Sequence, residues 1–180
     1  MLTGAKRFNV FFAVMLTLAA LSLCGCHTNK GLDKKSMAVI SLHMETNPDM
    51  PDVSSPVPIY RENPMMINVD KTPFLTETDL AGAKIVEVLG GFAIQLQFNE
   101  RSKWMLEQYT AANPGKRIAI LCRWDEKLKE SRWLAAPTIT RRISDGVLTF
   151  TPDATRAESE KMVLGLNKMA AETIKSDNKW

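Results

Sequence analysis

The stretch that most constrains this chain is Gly90-Gly91, with an alternating segment on either side. Glycine reaches the positive φ angles of a tight hairpin without steric penalty, so Lys84–Leu89 and Phe92–Phe98 read as antiparallel neighbours. Phe92, Ile94, Leu96 and Phe98 fall on one face of the second strand, with Gln95 and Gln97 opposite. One apolar and one wet face describe an antiparallel sheet that is backed on one side only.

The remaining elements can supply that backing. Ala38–Glu45 alternates, with Ala38, Ile40, Leu42 and Met44 on one side, and reads as a strand. Asn47–Pro58 carries four prolines among Asp, Asn and Ser and reads as a mobile loop. Short extended pieces are expected at Val57–Arg61 and Met65–Val69. Thr76–Ala83 reads as a short helix capped by Thr76 or Thr78, because a hydroxyl there can accept an orphan N–H. A longer helix is predicted over Glu100–Ala112, capped by Asn99 and stopped by Asn113-Pro114-Gly115. Arg117–Trp124 reads as a strand and Asp125–Ser131 as a charged loop. Pro137 makes Trp133–Ile143 an edge or bulged strand. Ser144-Asp145-Gly146 turns into Val147–Phe150, and a final helix opens at Thr151-Pro152, where proline suits the first helical position. Met162, Val163, Leu166, Met169, Ala170 and Ile174 form its apolar stripe. The expected architecture is α+β: an antiparallel or mixed sheet with two main helices packed on one face.

The N-terminus addresses location. Lys6-Arg7, an apolar run from Phe8 to Leu23 and a small residue at Gly25 describe a secretory signal peptide. Leu23-Cys24-Gly25-Cys26 resembles the lipobox of bacterial lipoproteins. That resemblance implies cleavage before Cys26, acylation of Cys26 and attachment to a membrane outside the cytoplasm. The alternative is an ordinary secreted protein in which Cys26 stays a thiol. His27 follows the cysteine where an aspartate would direct inner-membrane retention, so the resemblance favours the outer membrane over the inner. The expected organisation is a signal peptide at 1–25, a polar tether at 26–36, one α+β domain at 37–175 and a frayed tail at 176–180. Loss of Lys6 and Arg7 with the leader lowers the formal charge from +3 to about +1. No basic stripe is left for nucleic acid. Cys122 would be the sole free cysteine, which rules out an internal disulfide.

From Pro73 to Ala170 the landmarks resemble, in order, the first periplasmic (P1 head) domain of SecD, a subunit of the Sec protein-export machinery. They are Leu75-Thr76 with Asp79-Leu80 and Ala83, then Leu96-Gln97-Phe98 before the helix and Asn113-Pro114-Gly115-Lys116 after it. Ile118-Ala119-Ile120, Ala135-Ala136-Pro137, Gly146 and Phe150-Thr151 leading to Glu158 complete the series. The resemblance implies a non-enzymatic head, and the expected function is a binding module that contacts exported polypeptide, Sec translocon components or another envelope protein. SecD continues into transmembrane helices that couple export to the proton gradient. The sequence to Trp180 has no such segments, so the expectation is a tethered head and not a motor.

Residue chemistry agrees with a binding role. His27 and His43 are the only histidines, and no ligand set at zinc spacing accompanies them, so no metal and no cofactor is expected. Cys122 lies in an apolar strand and reads as a buried small hydrophobe. No nucleophile elbow or phosphate-binding glycine loop is present. Trp124 and Trp133 bracket a charged loop near Arg132, Arg141 and Arg142, and aromatic-plus-arginine surfaces are typical of binding hot spots. Trp124, Trp133, Arg141 and Arg142 are therefore the expected contact residues. One alternative is an envelope hydrolase assembled from His43, Asp125 and Glu126. Another is a structural lipoprotein without a sizeable exposed apolar patch.

Overall fold

The computed structural model describes residues 36–125 and 127–177. The expected signal peptide, Cys26, His27, most of the expected tether, Glu126 and residues 178–180 lie outside the described residues.

Strands β1 (Ala38–Met44), β2 (Ser54–Ile59), β3 (Met65–Asp70) and β4 (Leu75–Thr76) are followed by a single 3-10 turn at Glu77–Asp79. Then come β5 (Leu80–Val88), β6 (Gly91–Phe98), helix α1 (Glu100–Ala112), β7 (Ile118–Trp124), β8 (Glu130–Ala135), β9 (Val147–Phe150) and helix α2 (Arg156–Asp177). The strands form three sheets, ordered β4-β1-β7-β8, β2-β3 and β5-β6-β9, and every strand pairing is antiparallel. The α+β expectation holds, with the strands divided among three sheets.

The four-stranded sheet is the central layer. Ile40, Leu42, Ile118, Ile120, Cys122 and Trp124 turn one face into the main core. That core also takes Leu96 and Phe98 of β6, Leu106 of α1, and Met162, Leu166 and Ala170 of α2. Both helices thus serve the same core. The opposite face is covered by the β2–β3 hairpin, whose Val57, Ile59, Ile67 and Val69 pack on Ala119 and Ala136 with Trp133 alongside.

Several local expectations need correction. The proline-rich segment is not all loop, because its second half is β2. The Lys71 N–H bonds the Val53 carbonyl, which makes 53:71 a hydrogen-bonded pair. By alternation Pro56 and Pro58, opposite Asn68 and Met66, occupy positions that need no N–H toward β3. Their imide nitrogens face an outer edge, where proline is tolerated. Thr76–Ala83 makes only one helical turn, with Asp79 accepting the Thr76 N–H at 2.8 Å, before the chain extends into β5. Trp133–Ile143 is not one strand: β8 ends at Ala135, and beyond it the chain keeps only a bridge from Thr138 to Arg117. Helix α2 starts at Arg156 and not at Pro152. Thr155 and Glu158 cap it reciprocally, the Thr155 N–H donating to Glu158 Oε2 at 2.7 Å and the Glu158 N–H to Thr155 Oγ1 at 3.2 Å. The helix runs on through Asp177, where a frayed tail was expected from 176. The hairpin turn itself is Leu89-Gly90, with Gly90 at φ 85° and Gly91 already in β6 opposite Val88.

Candidate polypeptide-binding groove

The four expected contact residues do not assemble. Trp124 and Leu121 alternate to opposite faces of β7, and Trp133 pairs with Leu121. The two indoles therefore lie on opposite sides of the central sheet. Trp124 is 4% exposed, part of the main core, so it offers no contact surface. Arg132 covers it with its guanidinium 5.0 Å from the ring centroid. The same guanidinium reaches Glu158 at 3.1 Å and the Asp153 carbonyl at 3.1 Å. The Arg132 hydrogen bonds hold the Glu158 carboxyl down to about 2, against the opposing effect of partial burial. This cluster fastens β8 to the start of α2. Trp133 is half-buried against the hairpin, edge-on to His43 at 5.2 Å between centroids. Arg142 is exposed and reaches Glu107 of α1 at 3.0 Å. Arg141 lines a cleft. Trp104, on α1, is exposed at 64%.

Of the expected hydrolase residues, Glu126 lies outside the described residues, and His43 and Asp125 do not meet. His43 is 7% exposed, bonded through Nδ1 to the Asp70 carbonyl at 2.8 Å and through Nε2 to Ser41 Oγ at 3.0 Å. The carbonyl requires the proton on Nδ1, which leaves Nε2 to accept from the hydroxyl. Desolvation lowers its pKa, partly countered by the Asp70 carbonyl and charge. Asp125 adjoins Trp124, which pairs with Ala38, five residues along β1 from His43. At about 3.4 Å per residue that is roughly 17 Å. His43 instead bolts the hairpin to the central sheet. Cys122 is fully buried, and desolvation pushes its thiol up to about 12. No group of three or more His, Cys, Asp or Glu among the described residues could hold a metal ion.

A groove lies elsewhere, between the ends of two sheets. One cleft of about 320 Å³ is lined by Thr138, Thr140, Arg141 and Asp145 opposite Val147 and Thr149. A second, of about 380 Å³, is lined by Tyr60, Val88, Ala93, Pro137, Thr149 and Phe150. The two share Pro137 and Thr149, so they run on either side of one strip along β9. Tyr60 takes a left-handed φ of 69° at the end of β2 and is 43% exposed. Its neighbour Arg61 pins that turn through its N–H at 2.9 Å and its guanidinium at 3.2 Å, both to Asp153.

Residues 54–170 match the family model of the SecDF P1 head subdomain. The chain belongs to that family. The match begins at Ser54, so the P1 head takes in the β2–β3 hairpin as well as the stretch from Pro73. Among solved structures, a membrane component SecDF that enhances protein export is similar at TM-score 0.53 and 20% identity, over 81% of this chain and 70% of that one. SecDF in a super-membrane-facing form gives 0.52 and 21%, over 74% of this chain and 19% of that one. At these identities the likeness concerns the P1 head fold. No curated sequence matches the chain. Among the described residues no helix is long and apolar enough to cross a membrane.

Sequence reasoning did not find Tyr60, Val88, Thr138 or Thr149. Their only local signal is an edge strand with threonines on its outer side, and the groove joins segments up to about ninety residues apart.

Proposed function

We propose that this chain is a non-catalytic binding module of the cell envelope, tethered by lipid on Cys26, that contacts exported polypeptide or a Sec component through the groove along β9. Membership of the P1 head family carries the reading. Two adjoining clefts, one lined by exposed Tyr60 and Val88 and the other by Arg141, support it. The lipobox-like Leu23-Cys24-Gly25-Cys26 followed by His27 supports the periplasmic side, by preference at the outer membrane.

In-cell photocrosslinking from Tyr60 and Arg141, with Trp104 on α1 as the remote control, tests the contact. Mass spectrometry of the adducts should recover exported chains or Sec components from the two groove positions. Equal yields from Trp104 would refute the site, and absence of such partners from both groove positions would refute the function. Palmitate labelling lost in Cys26→Ser tests the anchor separately.

A further inference from the structure

The groove is bounded on both sides by unpaired strand edges. Phe98 N–H bonds the Gly146 carbonyl, and the β6–β9 register places Phe98 opposite Gly146 by continuation. That makes 96:148 and 94:150 hydrogen-bonded pairs and leaves Val147 and Thr149 with their main-chain groups turned away from β6. The Val147 N–H is taken by Asp145 Oδ1 at 3.0 Å, which agrees with that direction. Among the described residues the main-chain N–H and carbonyl of Thr149 have no partner.

The opposite wall has the same character. The Ile118 N–H bonds the Pro137 carbonyl at 3.0 Å and the Ile139 N–H bonds the Lys116 carbonyl at 2.8 Å. Thr138 between them is therefore a non-hydrogen-bonded position, with its N–H and carbonyl turned away from β7. Thr138 and Thr149 line the same cleft. Two edges that each turn one N–H and one carbonyl outward, at Thr149 and Thr138, are complemented by an extended backbone, which carries donors and acceptors on both sides. Arg141 has no carboxylate partner among the described residues and stands in this cleft.

We propose that the slot between β9 and Pro137–Arg141 takes an extended segment of an unfolded polypeptide as an added strand. Its main chain bonds Thr149 on one side and Thr138 on the other, and an acidic side chain of the segment meets Arg141. This mode rests on the polypeptide-binding reading above and specifies its chemistry as β-augmentation.

Thr149→Pro removes the outward N–H and spares the ladder to β6, and proline is tolerated at such an edge position. Thr149→Ala keeps the N–H and removes the hydroxyl. The probe is reduced, carboxymethylated α-lactalbumin, titrated against the full-length lipoprotein in detergent. Thr149→Ala should bind within about threefold of wild type and Thr149→Pro at least about tenfold more weakly, with Arg141→Glu also weakened. Amide exchange at Thr149 and Thr138 of the wild type should slow on adding the probe, a readout that holds even if Thr149→Pro misfolds. Wild-type binding without protection at either amide would overturn strand addition while leaving the polypeptide-binding reading intact. No binding by the wild type would sink both. Protection that appears without probe and scales with protein concentration would mean that a second copy fills the slot, and would also overturn the proposal.

Discussion

Gly165→Ala is the sharpest test of how α2 meets the central sheet. A Cβ at this helical position would lie 2.6 Å from the Ala38 nitrogen, 2.8 Å from the Ala38 Cβ and 2.8 Å from the Met37 carbonyl carbon. All three are closer than real Cβ contacts, and two are backbone atoms that no rotamer change can move. Ala38 is fully buried and paired with Trp124, so β1 cannot yield without loosening β7. Helix propensity pulls the other way, since alanine gains about 1 kcal/mol over glycine in a helix interior. Overpacking costs about 1–3 kcal/mol where small shifts relieve it, and three simultaneous overlaps place this site at the upper end. The net expectation is destabilisation by about 2 kcal/mol, a fall in melting temperature of roughly 4–8 °C for a domain of this size. Urea unfolding followed by circular dichroism should show a lower midpoint with unchanged slope. A stabilised Gly165→Ala variant would mean that propensity decides and that the close approach is not a constraint.

At the β5–β6 turn, Gly90→Ala should cost about 1 kcal/mol in the same assay because φ is 85°, whereas Gly91→Ala, with open space around its Cβ, should be neutral or slightly stabilising. Glu158, held near 2, contributes stability that is present above pH 4.5 and lost as pH falls through about 2. Glu158→Gln should flatten acid unfolding across that window. Burial of neutral His43 contributes stability present above pH 6.5 and lost as pH falls toward its lowered value, so amide exchange in β2 and β3 should rise there, and His43→Asn should abolish that rise. Cys122 should resist iodoacetamide in the native state and label only at the unfolding rate, with Cys122→Ala losing about 1 kcal/mol from a filled core.

Elements with a strong local signal were legible in the sequence. Asn99 and Asn113-Pro114-Gly115 mark α1 because a cap and a stop act within one turn, and the Asn99 side chain does accept the Ser102 N–H. The β6 alternation survives because its two faces meet different media. Strand β2 was obscured because Pro56 and Pro58 count against a strand until the partner and the hydrogen-bonded positions are known. Pro152 misled for a related reason: it is buried just before a bend, and the reciprocal cap three residues later sets the helix start. The Trp124–Trp133 expectation failed on register. Neighbours in sequence were separated by a strand turn that sends one indole into each face. The groove was invisible locally, since Tyr60, Val88, Pro137 and Thr149 meet only after three sheets have packed.

The way this fold treats its strand edges bears on which edge is used. Free edges invite pairing with other chains, and proteins usually blunt them. Here β2 carries Pro56 and Pro58 on its outer side, so it cannot offer a continuous row of donors. The β8 edge is closed where the Asp153 N–H takes the Leu134 carbonyl at 2.7 Å. The β3 side is closed where the Thr46 N–H takes the Asn68 carbonyl at 2.9 Å. On β9 the Val147 N–H is covered by Asp145, yet among the described residues the Thr149 main chain has no partner, and across the cleft Thr138 turns its main chain away from β7. Strand pairing is thus blocked at these three edges, while Thr138 and Thr149 line one cleft. Under the proposed mode, an extended chain would pair at that slot and not along the blocked edges.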